Sequence, residues 1–106
     1  DMRESPSIHV VNELKNYTQH VYGYDPVVPA DEISKTGAVS CSVEDGFRDA
    51  DCVIIMTNHE GFKNLNVNAL LKTAKKPCIL MDNWHMLKTP EIRSRDDVIY
   101  SGIGVG

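Results

Sequence analysis

Three short polar stretches hold the residues whose types and spacing could do chemistry. The first is Arg3, just ahead of Ser5-Pro6. Free backbone N–H groups and the positive end of a helix macrodipole favour an anion there, and a guanidinium pairs with a diphosphate bidentately, or Arg3 pairs with Glu4 or Asp1 or is solvated. The second is Thr57-Asn58-His59-Glu60, which follows an apolar run. These residues offer donors to a ligand, with His59 and Glu60 as an acid/base pair, or they brace a turn that tucks Phe62 inward. The third is Asp82-Asn83-Trp84-His85, after a second apolar run. Asn83 and Trp84 there present an amide and a stacking face to a base or sugar ring, or Trp84 is a partly buried packing residue. His9 and His20 carry no partner pattern, and no two histidines share a metal-ligand spacing. Gly102-Ile103-Gly104-Val105-Gly106 lacks the following helix that a dinucleotide fingerprint needs, and there is no GxSxG elbow, P-loop or HExxH.

The elements that must position these stretches alternate in type. Ser5 caps and Pro6 opens a helix to about Asn16, with Ile8, Val11 and Leu14 at helical spacing. His20 to Tyr24 reads as a short strand stopped by Asp25-Pro26, and Pro26 to Gly37 as irregular chain, with Pro29 and Gly37 as breakers. Ser42 and Asp45 form a capping-box pattern for a helix from Val43 to Ala50. Cys52 to Met56 is the clearest strand, apolar on successive residues as a strand covered on both faces would be. Val67, Leu70, Leu71 and Ala74 make a helical stripe, Pro77 to Met81 is the next strand, Thr89-Pro90 starts a short helix, and Val98 to Tyr100 is the last strand.

This order predicts an α/β fold: a Rossmann-like three-layer sandwich with a mostly parallel sheet and helices on both faces. A doubly wound unit normally begins with a central strand, so the first strand is expected to be missing upstream of the opening helix. In such sheets ligands bind outside the carboxyl ends of the strands, where Arg3-Glu4-Ser5, Tyr24-Asp25-Pro26, Thr57 to Phe62 and Asp82 to His85 all fall.

Composition limits the function. A chain of 106 residues is one domain, with room for one core. A net charge of −4 gives no basic stripe for nucleic acid or an anionic membrane. Cys41, Cys52 and Cys78 are odd in number and far apart, which points to core residues rather than disulfides or a metal site. No apolar stretch reaches the roughly 20 residues of a membrane helix and Asp1-Met2-Arg3-Glu4 is unlike a signal peptide, so a cytoplasmic location is expected. A first residue other than methionine and an end at Gly106 are expected of a fragment.

Taken together and in order, several of these segments resemble the carboxyl-terminal domain of the UDP-glucose/GDP-mannose dehydrogenase family, over essentially the whole chain. The marks are Asp1-Met2-Arg3-Glu4-Ser5-Pro6, Tyr24-Asp25-Pro26, Ala50-Asp51 leading into Val53-Ile54-Ile55, Thr57 and His59 with Phe62-Lys63-Asn64-Leu65, the strand into Asp82, and Tyr100-Ser101-Gly102-Ile103-Gly104. The resemblance implies a parent enzyme that oxidises the C6 hydroxyl of a nucleotide sugar to a carboxylate in two hydride transfers to NAD, through a thiohemiacetal and thioester on a cysteine. It places that cysteine, its lysine and asparagine helpers, and the main NAD-binding fold in amino-terminal and central domains absent here.

None of the three cysteines lies at a matching position, so this piece is expected to bind a UDP-sugar rather than catalyse. By the same resemblance Arg3 corresponds to an arginine that reaches NAD across the domain cleft, and the full-length protein is a homodimer. The family's Phe-Lys pair that grips the sugar nucleotide lies upstream of Asp1. Asn83-Trp84 stands where the family commonly has Gly-Arg after the aspartate, and losing that cation points from glucose towards an N-acetylated hexosamine. The competing class is a non-catalytic flavodoxin-like module of receiver type, for which Asp25-Pro26 is a poor stand-in for a phosphorylatable aspartate.

Overall fold

A computed structural model describes residues 6–57, 62, 64–84 and 90–102. The elements run α1 (Pro6–Leu14), β1 (Tyr22–Gly23), α2 (Ala30–Lys35), β2 (Val39–Ser40), α3 (Val43–Phe47), β3 (Cys52–Ile55), α4 (Val67–Leu71), β4 (Cys78–Asp82), α5 (Pro90–Arg93) and β5 (Val98–Ser101). Every strand pairing among the described residues is parallel, and the fold is a small α/β, Rossmann-like one. The described strands form two sheets, β1-β2 and β3-β4-β5. The chain divides into two compact units, Asp1–Gly46 and Phe47–Gly106.

In the first unit β1 and β2 pair with Tyr22 opposite Val39 and Gly23 opposite Ser40. Val21, Ile33 and Ala38 form the buried cluster, and Val11, Leu14 and Val28 pack against it. The helical spacing read from Ile8, Val11 and Leu14 thus delivers two of those residues to the core. Gly23 lies close to α2: a Cβ there would stand 3.0 Å from Ile33 Cγ2 and push that side chain aside. At the exit of β1 the Asp25 Oδ1 accepts the backbone N–H groups of Val27 at 2.8 Å and Val28 at 3.0 Å. That turn follows a strand of two residues, shorter than the His20 to Tyr24 read from the sequence.

The stretch expected to be irregular contains α2, and the reason is local. Pro29 stands at the helix entrance with φ −62° and ψ 154°, Asp31 and Glu32 fill the first turn, and Lys35 lies in the last. Gly37 follows with φ +97°, a value that glycine adopts without strain. Proline before and glycine after a helix mark its ends rather than forbid it. The short strand β2 also falls where the sequence gave no strand signal; two residues cannot show a period.

The second unit holds the three-stranded sheet. Cys52 pairs with Ile79, Ile54 with Met81 and Ile55 with Asp82; Cys78 pairs with Val98, Ile79 with Ile99 and Leu80 with Tyr100. Asn66 caps α4, its side chain accepting the Ala69 N–H at 3.1 Å. Phe47, Val67, Leu71, Ala74, Cys78, Leu80, Ile92 and Val98 are buried. Exposure alternates along the strands: Cys78, Leu80 and Asp82 of β4 are buried while Ile79 is exposed, and Val98 of β5 is buried while Ile99 is exposed. Continuous apolar sequence therefore does not mean burial on both faces in this unit. Helix α3 lies at the division between the units, and its Asp45 N–H is capped by Ser42 Oγ at 3.1 Å as the capping pattern predicts.

The amino-terminal side of the sheet is held by a polar cluster. Arg95 donates to both oxygens of Asp97, Nε to Oδ1 at 3.0 Å and Nη2 to Oδ2 at 2.9 Å, while Lys76 Nζ lies 3.2 Å from Oδ2. Arg95 Nη1 also donates to Asn68 Oδ1, and Asn68 Nδ2 to Glu91 Oε2, tying α4 to α5. The bidentate geometry holds the Asp97 carboxyl below the usual aspartate range, the hydrogen bonds from Arg95 contributing most.

Candidate functional site at the carboxyl ends of β3 and β4

Two adjacent parallel strands must release their chains at the same edge, so the residues after β3 and β4 meet there. The structure brings Met56 and Asp82-Asn83-Trp84 together. The Trp84 Nε1–H donates to the Met56 carbonyl oxygen at 2.9 Å, across 28 positions of sequence. Asn83 Nδ2 approaches Met56 Sδ at 3.6 Å, a weak contact for so soft an acceptor. Half of the Trp84 surface, 51%, remains exposed although the indole N–H is bonded.

Asp82 fixes the start of this turn. It is fully buried, its Oδ1 accepting the Trp84 backbone N–H at 3.2 Å and its Oδ2 accepting the Tyr100 hydroxyl at 2.9 Å. Tyr100 belongs to β5, so one carboxyl group links the carboxyl end of β4 to the neighbouring strand. Sequence reading placed Asp82 only as a landmark; a polar residue closing an otherwise apolar strand was the signal for its bracing role. The side-chain Oδ1 of Asn83 is buried and has no hydrogen-bond partner among the described residues.

This edge offers a half-exposed indole on a hydrogen-bonded turn. Thr57 is exposed immediately after Met56. Arg3, His59 and Glu60 lie outside the described residues, and Tyr24-Asp25-Pro26 belongs to the other unit. Among the described residues no group of three or more His, Cys, Asp or Glu side chains is placed to hold a metal ion.

The cysteines are all free, with Cys78 buried, Cys41 half-buried and Cys52 exposed. The expectation that all three are core residues fails at Cys52, because β3 leaves that side chain exposed. Burial raises the pKa of each thiol, helped by Asp45 at Cys41 and by Asp51 at Cys52; at Cys78 the neighbouring Cys52, Asp51 and Asp97 add to it. A raised pKa depletes the thiolate, so the surroundings activate none of the three as a nucleophile.

Fold and edge together define the class: a parallel α/β module with polar residues after the carboxyl ends of its strands and no activated nucleophile among its thiols. Comparison with known proteins resolves the class further. Residues 1–89 match the family described as "UDP-glucose/GDP-mannose dehydrogenase family, UDP binding domain", and the chain belongs to that family. A UDP-N-acetyl-D-mannosamine dehydrogenase of Pyrococcus horikoshii is 29% identical over 106 residues, covering 100% of this chain and 22% of the relative. A UDP-glucose 6-dehydrogenase of Rhizobium meliloti is 29% identical over 98% of this chain and 24% of its own length. A UDP-N-acetyl-D-mannosamine dehydrogenase of Methanococcus vannielii is 32% identical over 72% of this chain and 17% of its own length. The chain thus spans about a quarter or less of the length of these relatives. No described helix is long and apolar enough to cross a membrane.

Proposed function

We propose that this chain is the nucleotide-sugar-binding part of an NAD-dependent UDP-sugar 6-dehydrogenase, acting on UDP-glucose or a UDP-N-acetylhexosamine in the cytoplasm. The observation that carries the reading is the edge at which Trp84, anchored through its N–H to Met56 and through its backbone to Asp82, stays half exposed. A planar base or a sugar face stacks on an indole, and an amide supplies directional hydrogen bonds to it.

Asn83 and Trp84 are the substrate-contacting residues in this reading. Their replacement of a fixed cation favours a substrate whose added group is a neutral amide, as an N-acetyl group is. The UDP-N-acetyl-D-mannosamine dehydrogenases among the relatives fit that preference, and the UDP-glucose 6-dehydrogenase keeps the alternative in play. Arg3 is the residue that meets NAD, which serves as hydride acceptor when bound. Catalytic groups, and most of the NAD site, come from amino-terminal and central domains of the parent, which works as a homodimer.

Calorimetric titration of the chain with UDP, UDP-glucose, UDP-N-acetylmannosamine, GDP-mannose and NAD tests this. Measurable UDP binding that quenches Trp84 fluorescence, and is weakened by Trp84→Ala, is the expected result. Absence of binding by every uridine nucleotide, or a response to Mg²⁺ with a phosphoryl donor instead, overturns it.

A further inference from the structure

Among the described residues of the turn after β4, the fold uses the polar groups of Asp82 and Trp84 and leaves the amide of Asn83 nearly idle. Asp82 accepts the Tyr100 hydroxyl and the Trp84 backbone N–H, and the Trp84 indole donates to the Met56 carbonyl oxygen. Asn83 Nδ2 donates only to the Met56 thioether, at 3.6 Å, and Asn83 Oδ1 is buried with no hydrogen-bond partner among the described residues. Turning the amide over does not help. The buried end would then be an unpaired NH₂, and Oδ1 would face a thioether, which has no hydrogen to give.

A buried acceptor without a donor forfeits the hydrogen bonds that water would supply, and buried polar groups left in that state call for an explanation. The resting position of Asn83 is therefore weakly favoured: one end of the amide is unpaired and the other is held by a soft acceptor. The residue as a whole is half-buried rather than enclosed, so rotation about its side-chain bonds can bring the amide to a ligand at this edge. Such a rotation gives up little and gains both bonds.

A primary amide carries a donor and an acceptor side by side. A ring with an N–H next to a C=O on one edge matches both, as the imide of uracil does. Its N3–H gives to Oδ1 while a neighbouring carbonyl takes from Nδ2. The N-acetyl group of a hexosamine is a trans secondary amide, whose N–H and C=O point opposite ways and meet one end only. Phosphate oxygens can only accept, and a hydroxyl fills one end at a time. Of the groups on a UDP-sugar, the base is the one that satisfies the whole amide.

We propose that Asn83 reads the base, its amide pairing with N3–H and an adjacent carbonyl of uracil. The inference rests on the function proposed above and deepens it: Asn83 goes to the carrier base, and the sugar preference stays with the uncharged Trp84. Guanine offers the same pattern at N1–H and O6, so the assignment concerns the edge of the base and not the size of its ring.

UDP methylated at N3 is the probe, because it keeps the ring, the ribose and both phosphates and lacks the one donor. In a polypeptide of the relatives' full length carrying this sequence, calorimetry should show it bound about tenfold or more weakly than UDP. Asn83→Leu should weaken UDP by a similar factor and bring the two ligands within about twofold of each other. Asn83→Ala repeats the comparison with a smaller side chain, so the result does not hang on the fit of leucine. N3-methyl-UDP bound as tightly as UDP overturns the proposal, and so does a methyl penalty that persists undiminished in both variants. Tolerance of the methyl group, together with an Asn83 variant that shifts the affinity ratio of UDP-N-acetylmannosamine to UDP-glucose, assigns Asn83 to the sugar instead. UDP bound with the methyl group tolerated sinks the base reading alone, whereas UDP unbound sinks the functional reading and this one with it.

Discussion

Replacing Tyr100 by Phe removes one oxygen from the middle of the candidate site and nothing else. In the folded chain that oxygen donates to Asp82 Oδ2 at 2.9 Å, and Asp82 is fully buried. Hydrogen bonds to buried or charged acceptors contribute about 1–3 kcal/mol. For 106 residues the unfolding entropy makes 1 kcal/mol worth about 4–5 °C, so Tm should fall by roughly 5–13 °C. Urea unfolding followed by the single tryptophan, Trp84, measures the change where the site is. The ring stays in place, so the urea dependence should keep its slope while the midpoint falls. Since Asp82 also accepts the Trp84 backbone N–H, the variant should loosen the turn and weaken UDP binding more than a remote substitution of equal stability cost. A midpoint within error of the parent chain would refute the bracing role assigned to Asp82.

Further outcomes follow from the same geometry. Leu80→Ala, at a position with no exposure, should cost about 2–5 kcal/mol in urea unfolding, whereas Ile79→Ala, one residue away and exposed, should cost well under half of that. Asn66→Ala should lose about 1 kcal/mol with the cap of α4, and Asn66→Asp should retain most of it. Trp84→Phe keeps a ring but not the bond to Met56, so it should cost about 0.5–1 kcal/mol and leave more UDP affinity than Trp84→Ala, as calorimetry would show. The Asp97 carboxyl has its pKa lowered by Arg95 and Lys76, so its stabilising effect is complete above the unfolded aspartate value near 4 and is lost as pH falls through the lower folded value. Asp97→Asn should flatten the acid limb of the Tm-against-pH curve below about pH 4 while lowering Tm at neutral pH.

Local pattern was enough for most of the framework. The capping pair Ser42 and Asp45, the turn at Asp25, the stripe from Val67 and the runs read as Cys52 to Met56 and Pro77 to Met81 fold, within a residue or a few at their ends, as neighbouring residues dictate, because caps, turns and periodic faces involve contacts only a few residues apart. Helix α2 was equally local, and its signals were present: an entering proline, early acids, a late lysine and a closing glycine. The two-residue strands β1 and β2 carry almost no pattern, and only their partner defines them. Of the candidate site, the sequence marked the strand exits at Thr57 and Asp82 to Trp84, since polar residues closing apolar runs in a parallel sheet gather at one edge.

Tertiary structure decided what those residues do. Sequence showed Cys52, Ile79 and Ile99 as apolar and therefore as core; pairing register puts them side by side, and exposed, instead. No local rule couples Asp82 to Tyr100, 18 residues on, or Trp84 to Met56, 28 residues back. Those bonds exist because adjacent strands hold distant residues at fixed spacing. Side-chain chemistry and short-range geometry are thus written in the order of residues, while the choice of buried face and of hydrogen-bond partner waits on which strands lie side by side.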